Sequence, residues 1–144
     1  MSDYNKVIFI CTGNTCRSPM AEMILKKYRS DIEVISRGLV VLFQEPANPK
    51  ASIVMENNDF SLEHHCATQF TVDDVTDTTL IITMTEKQKE DIQLTYGLEK
   101  NIVTLSEYTG EQEDIQDPYG GSIVEYETCY RTIARLVKKV AERL

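Results

Sequence analysis

Two apolar patterns alternate along the chain. The run VIFI at residues 7–10 is unbroken and rich in β-branched side chains, which predicts a strand buried on both faces. Ser18 and Pro19 then predict a helix start, with the serine as cap and the proline at the first helical position. Met20, Ala21, Ile24, Leu25 and Tyr28 continue that helix in steps of three and four. A second strand is expected at residues 32–36, a helix at about 47–58 and a third strand at 80–84. A polar helix follows at 86–96, closed by Gly97, and then a fourth strand at 102–105. From Ser122 the positions Ile123, Tyr126, Tyr130, Ile133, Val137, Val140 and Leu144 mark a long terminal helix. Alternating strands and helices predict a parallel sheet covered by helices on both faces, with ligands bound beyond the carboxyl ends of the strands. No repeat, linker or low-complexity tract interrupts the pattern, so one domain is expected over residues 1–144.

Composition narrows the partners. The net charge of −8 argues against nonspecific nucleic-acid binding. It also requires any phosphate site to be attractive locally, against a repulsive overall field. No apolar stretch approaches the ~20 residues of a membrane span, and the amino terminus lacks the layout of a signal peptide. A cytoplasmic protein with reduced thiols is expected. The 4 cysteines then point to chemistry or packing before structural disulfides.

The first pair of reactive residues stands where such a sheet binds ligands. Cys11 and Arg17 bracket a Gly-Asn turn that leaves the first strand and enters the first helix. Cys129 and Arg135 have the same spacing but lie within the terminal helix, with no turn between them. Only the first pair sits where backbone N–H groups converge on an anion. A thiolate is the reactive form of cysteine, and a helix N-terminus with a nearby cation favours it. Gly13 allows close backbone approach, Asn14 tolerates the left-handed conformation, and Ser18 offers a hydroxyl to the sulfur. The planar fork of Arg17 matches two phosphoryl oxygens. Thiol, guanidinium and amides together make a site for attack on phosphorus.

CTGNTCRSPMAE resembles the phosphate-binding loop of the low-molecular-weight protein tyrosine phosphatases, and Asp117-Pro118-Tyr119 resembles that family's general-acid loop. The resemblance spans essentially the whole chain. It implies a three-layer α/β fold with a four-stranded parallel sheet flanked by helices on both faces. It implies Cys11 as nucleophile, Arg17 as transition-state clamp and Asp117 as general acid. Thr12, Gly13, Asn14, Thr15, Cys16, Ser18 and Tyr119 are then expected to line the substrate. Neither metal nor cofactor is implied. The implied partners are phosphorylated proteins, with inorganic phosphate as product and inhibitor; neither nucleic acid nor membrane is expected. Cys16 is implied as a disulfide partner that protects Cys11 under oxidation.

Thr15 and Gly120 bear on the phosphorylated side chain. The resembling protein-arginine phosphatases of Gram-positive bacteria carry threonine in a CTGNTCRS loop, where tyrosine-specific members are often aliphatic. Tyrosine-specific members also tend to place two adjacent aromatics after Asp-Pro. Here Tyr119 is followed by Gly120 and Gly121, so one wall of a ring slot is missing. Phosphoarginine is the expected substrate and phosphotyrosine the alternative. One departure is the loop Gly38-Leu39-Val40-Val41, which offers aliphatics where related enzymes often place an aromatic.

Other features read more plainly. His64-His65-Cys66 lacks a second cluster to complete a metal site and is read as a surface turn. Cys129 is read as core, and residues 111–114 as a solvated loop, with a role in choosing basic substrate surfaces as the alternative. An arsenate reductase sharing this loop would need two further cysteines on a mobile segment, and Cys66 and Cys129 are far apart in sequence. A noncatalytic phosphate-binding module would need no nucleophile.

Overall fold

A computed structural model describes residues 3–144. Its centre is a parallel sheet of four strands: β1 (Lys6–Cys11), β2 (Glu33–Gly38), β3 (Thr79–Thr83) and β4 (Ile102–Thr104). Their order is β2-β1-β3-β4, so the VIFI run is a central strand, paired on both sides. Alternation within β1 separates two cores. Val7, Phe9 and Cys11 face one cluster, and Ile8 and Ile10 face the other.

The first core is closed by α1 (Arg17–Tyr28), α2 (Pro49–Asn57) and α5 (Ile123–Arg143). Helix α5 supplies Tyr126, Ile133, Leu136, Val137 and Val140, all buried, and packs on α1 and α2. It starts at a capping box in which Ser122 and Glu125 satisfy each other's exposed amides. The second core is closed by α3 (Glu86–Tyr96), which contributes Ile92, with Phe70 edge-on to Tyr96 at 5.0 Å between ring centroids. Helices thus cover both faces, as the alternation predicts. No helix among the described residues is long and apolar enough to cross a membrane.

The structure departs from the sequence expectations at element ends. Helix α1 begins at Arg17 with Cys16 as cap residue, so Ser18 lies inside the first turn rather than capping it. Its hydroxyl is released for the sulfur of Cys11. Helix α2 begins at Pro49, where the Asn48 side chain accepts from the amides of Lys50 and Ala51. Leu105, expected to end a strand, instead begins the short helix α4 (Leu105–Thr109). Thr104 and Glu107 form a second capping box there, and that local device overrides the apolar run.

Strands β1 and β3 continue toward opposite sides of the sheet, so a crevice opens between their carboxyl ends. Residues 11–18 fill it. On the β2 side the fit is tight: a Cβ added at Gly38 would lie 2.5 Å from Val41 Cγ2 and 3.0 Å from the Thr12 carbonyl oxygen. Gly38→Ala is therefore expected to lower stability to urea by about 1–3 kcal/mol, as overpacked sites do. Equilibrium unfolding against the unsubstituted protein checks this, and an unchanged midpoint would contradict the close approach.

Candidate active site

Strand β1 ends at Cys11, and the chain turns at once into a loop that winds back to α1. Asn14 takes the left-handed conformation, with φ of 57°. Its buried side chain holds the turn from inside. The amide nitrogen donates to the Ser18 hydroxyl at 2.9 Å and the Ser36 hydroxyl at 3.0 Å, while its oxygen accepts from the Thr68 amide at 2.9 Å. Ser36 in turn donates to Glu22 at 2.6 Å.

The loop carbonyls are taken by donors outside it. Leu39 N–H donates to the carbonyls of Cys11 and Thr12, at 3.2 and 3.0 Å, and Val40 N–H to Thr12 at 3.0 Å. Asn48 N–H donates to Thr15 at 2.8 Å. His65 Nε2 meets the Asn14 carbonyl oxygen at 2.6 Å. The amides of Thr12, Gly13, Asn14, Thr15 and Cys16 donate to no protein acceptor among the described residues. Five unspent donors in one turn at a helix N-terminus form an anion cradle.

Cys11 lies at the base of this cradle. Its Sγ is 2.9 Å from the Ser18 hydroxyl and 3.5 Å from the Ser18 amide. Arg17 is buried; Nη1 donates to the Ile115 carbonyl at 2.8 Å, and Nη2 lies 3.6 Å from the Asp117 carboxylate. Asp117 is half exposed and accepts from the Tyr119 amide at 3.0 Å, which closes the Asp-Pro turn. A thiol, a guanidinium and a carboxylate therefore share one end of the sheet, and Arg17 links the loop to the distant 115–119 segment. Chemically this set can bind a phosphoryl group, attack it with sulfur and protonate what leaves.

Tyr119 is 80% exposed, so it stands at the rim free to meet a substrate chain. Gly120 has φ of 81°, a left-handed turn that requires glycine for backbone reasons whatever its effect on a ring slot. Leu42 and Phe43 are exposed, and they follow the aliphatic segment that hydrogen-bonds to the loop through Leu39 and Val40. A cavity of about 610 Å³ lies between the 110–118 segment and α5. Its lining includes Asp117, Glu125 and Cys129 but no residue of the 11–18 loop.

Three supports were not legible in the sequence. His65 belongs to a segment read as a surface turn, yet it grips Asn14; one histidine gives no local signal of its partner. Gln88, buried in the first turn of α3, donates to the Thr12 hydroxyl at 3.2 Å while its oxygen accepts from the amides of Met84 and Thr85. Tyr126, read as core, lies beside Asn48, which holds Thr15; burial, with Asp117 nearby, pushes its phenol up. No group of three or more His, Cys, Asp or Glu among the described residues is placed to hold a metal ion.

The family model described as low molecular weight phosphotyrosine protein phosphatase matches residues 6–144. A low molecular weight protein-tyrosine-phosphatase, PtpB, of Staphylococcus epidermidis is 39% identical over 135 residues, covering 94% of this chain and 96% of its own. Among solved structures, a low molecular weight protein tyrosine phosphatase from T. tengcongensis aligns with a TM-score of 0.92 at 30% identity, over 96% of this chain and 99% of its own. A YwlE arginine phosphatase from Geobacillus stearothermophilus aligns with a TM-score of 0.89 at 29% identity, over 96% and 91%.

The contact between Ser18 and Cys11 makes a direct prediction. A hydrogen bond to a charged group is worth about 1.5–3 kcal/mol, so Ser18→Ala is expected to lower kcat on an aryl phosphate by about tenfold or more. Steady-state kinetics with far-ultraviolet dichroism as a folding control would show it. Unchanged kcat would remove the hydroxyl from the chemistry.

Proposed function

We propose phosphoarginine in proteins as the substrate of this chain, which belongs to the low molecular weight phosphotyrosine protein phosphatase family. The observation that supports a phosphatase reading is the five unspent amides of the loop that begins at Cys11, with Arg17 joining that loop to Asp117. The Cys11 thiolate attacks phosphorus, an S–P bond forms, and the bond from phosphorus to the substrate nitrogen breaks. Asp117 gives its proton to the leaving guanidine. Loop amides and Arg17 hold the equatorial oxygens as charge spreads over them. Asp117, now a carboxylate, takes a proton from water as that water attacks the phosphocysteine, releasing inorganic phosphate and free Cys11.

Thr15 and the glycines after Tyr119 support the arginine reading. A hydroxyl at position 15 suits a polar guanidinium better than a phenyl ring, which gains from apolar packing. Tyr119 is the one aromatic of the DPYGGS turn, and Gly120 adds no side chain beside it. The arginine phosphatase among the structural relatives has a matching fold. The phosphotyrosine reading has its own support in the protein-tyrosine-phosphatase relatives, which share more of the sequence.

Arginine-phosphorylated and tyrosine-phosphorylated forms of one peptide, presented side by side, separate the two readings. A higher kcat/KM for phosphoarginine is expected, and a strong phosphotyrosine preference overturns it. Thr15→Ile is expected to shift the ratio of the two constants toward phosphotyrosine by roughly tenfold, the scale of one apolar group in a pocket. An unchanged ratio would make Thr15 irrelevant to the choice. Phosphate on Cys11 in enzyme quenched during turnover tests the shared mechanism separately, by mass spectrometry.

A further inference from the structure

The turn that carries Asp117 is anchored on both sides. Upstream, the Ile115 amide donates to the Met84 carbonyl at 3.0 Å, and the Ile115 carbonyl accepts from Arg17 at 2.8 Å. Downstream, the Gly121 amide closes the turn on the Pro118 carbonyl at 2.7 Å, and the Gly121 carbonyl accepts from Lys50 Nζ at 2.5 Å. Lys50 is the second residue of α2, and its ammonium lies 5.9 Å from the centroid of the Tyr126 ring. Lys26, Lys87 and Lys89 pair with carboxylates. The ammonium of Lys50 is instead spent on a backbone carbonyl 71 residues away in the chain. The same helix start holds the phosphate loop. Asn48, its cap residue, donates its amide to the Thr15 carbonyl at 2.8 Å and accepts the Lys50 amide on its side chain at 2.8 Å. The phosphate loop and the Asp117 turn are thus both fastened to residues 48–50.

We propose that Lys50 is a positioning residue for proton transfer by Asp117: by gripping the Gly121 carbonyl it holds the turn so that the carboxyl group reaches the leaving atom. The inference rests on Asp117 acting as general acid, as in the reading above, and is the same for either phosphorylated side chain.

Such a grip is needed because the direct contact between Asp117 and the loop changes during the reaction. Arg17 Nη2 lies 3.6 Å from the carboxylate. A guanidinium favours the charged form of a neighbouring carboxyl group over the protonated one. Asp117 has to be protonated when the first bond breaks, and the Arg17 fork is then turned to the phosphoryl oxygens. Both changes weaken the pair at the step where the place of Asp117 matters most. The bond from Lys50 goes to backbone, so it is indifferent to the charge of Asp117. The turn transmits it. The Gly121 amide holds Pro118, whose ring restricts the backbone next to Asp117, and the Tyr119 amide holds Asp117 Oδ1 at 3.0 Å.

Leaving-group dependence reads this role. Phenyl phosphate releases a phenolate whose conjugate acid has a pKa of about 10, so it needs the proton, whereas 4-nitrophenolate leaves readily without one. In Lys50→Met, the ratio of kcat/KM for 4-nitrophenyl phosphate to that for phenyl phosphate is expected to rise about tenfold, since a small misplacement of a reacting group costs one or two orders of magnitude. Lys50→Arg keeps a cation and a donor, and is expected to return the ratio toward that of the unsubstituted protein. A purely structural role would lower both constants together and leave the ratio alone. An unchanged ratio in Lys50→Met therefore overturns the proposal, as does an arginine variant with the ratio of the methionine one. Asp117→Ala separates this from the reading it rests on. A raised ratio there beside an unchanged one in Lys50→Met removes Lys50 alone; an unchanged ratio in both removes the general acid as well. Lys50→Gln, one bond shorter than lysine, is expected to match Lys50→Met and decides the question should that variant fail to fold.

Discussion

A turn that binds a dianion has to dispose of its own carbonyl oxygens. Each would otherwise turn its negative end toward the ligand, in a chain already carrying a net charge of −8. Here the carbonyls of residues 11, 12, 14 and 15 are occupied from outside, by amides of the 39–40 segment, by Asn48 before α2 and by His65. The donors come from three separate stretches of chain. Holding the turn is thus a task of the whole sheet end, and the unspent amides inside it are the result. Asn14 performs the complementary task by filling the interior of the turn with a fully satisfied side chain.

Arg17 extends this arrangement to a segment nearly a hundred residues away. Because it is buried and bonded to the Ile115 carbonyl, its guanidinium is fixed before any ligand arrives. The same bond places Asp117 next to the loop. A prepositioned cation of this kind stabilises charge without reorganising when that charge develops. The 111–118 segment both sets the Asp117 carboxylate beside Arg17 and lines the cavity that reaches Cys129.

Elements with a long periodic signal were legible along the chain. The VIFI strand, the polar helix closed by Gly97 and the long terminal helix occur where their patterns placed them, within a residue or two. Shorter elements were not. Helix α4 has five residues, too few to show a period, and is defined by its capping box. Of the two roles read for Ser18, helix cap and hydroxyl partner of the sulfur, the structure shows only the second, within the first turn. Gly120 likewise has a conformational cause that a count of pocket walls does not reveal.

The local arrangement of strand, Gly-Asn turn and helix start was determined by the sequence itself, because each depends on neighbours a few residues away: β-branched runs, left-handed tolerance and helix initiation. It placed Cys11, Arg17 and Ser18 on one loop. Tertiary structure alone decided which remote groups complete that loop, since hydrogen bonds from His65, Gln88 and Asn48 require segments far apart in the chain to pack together. Long-range packing has no periodicity to read, so those partners became visible only when the sheet brought them to one end.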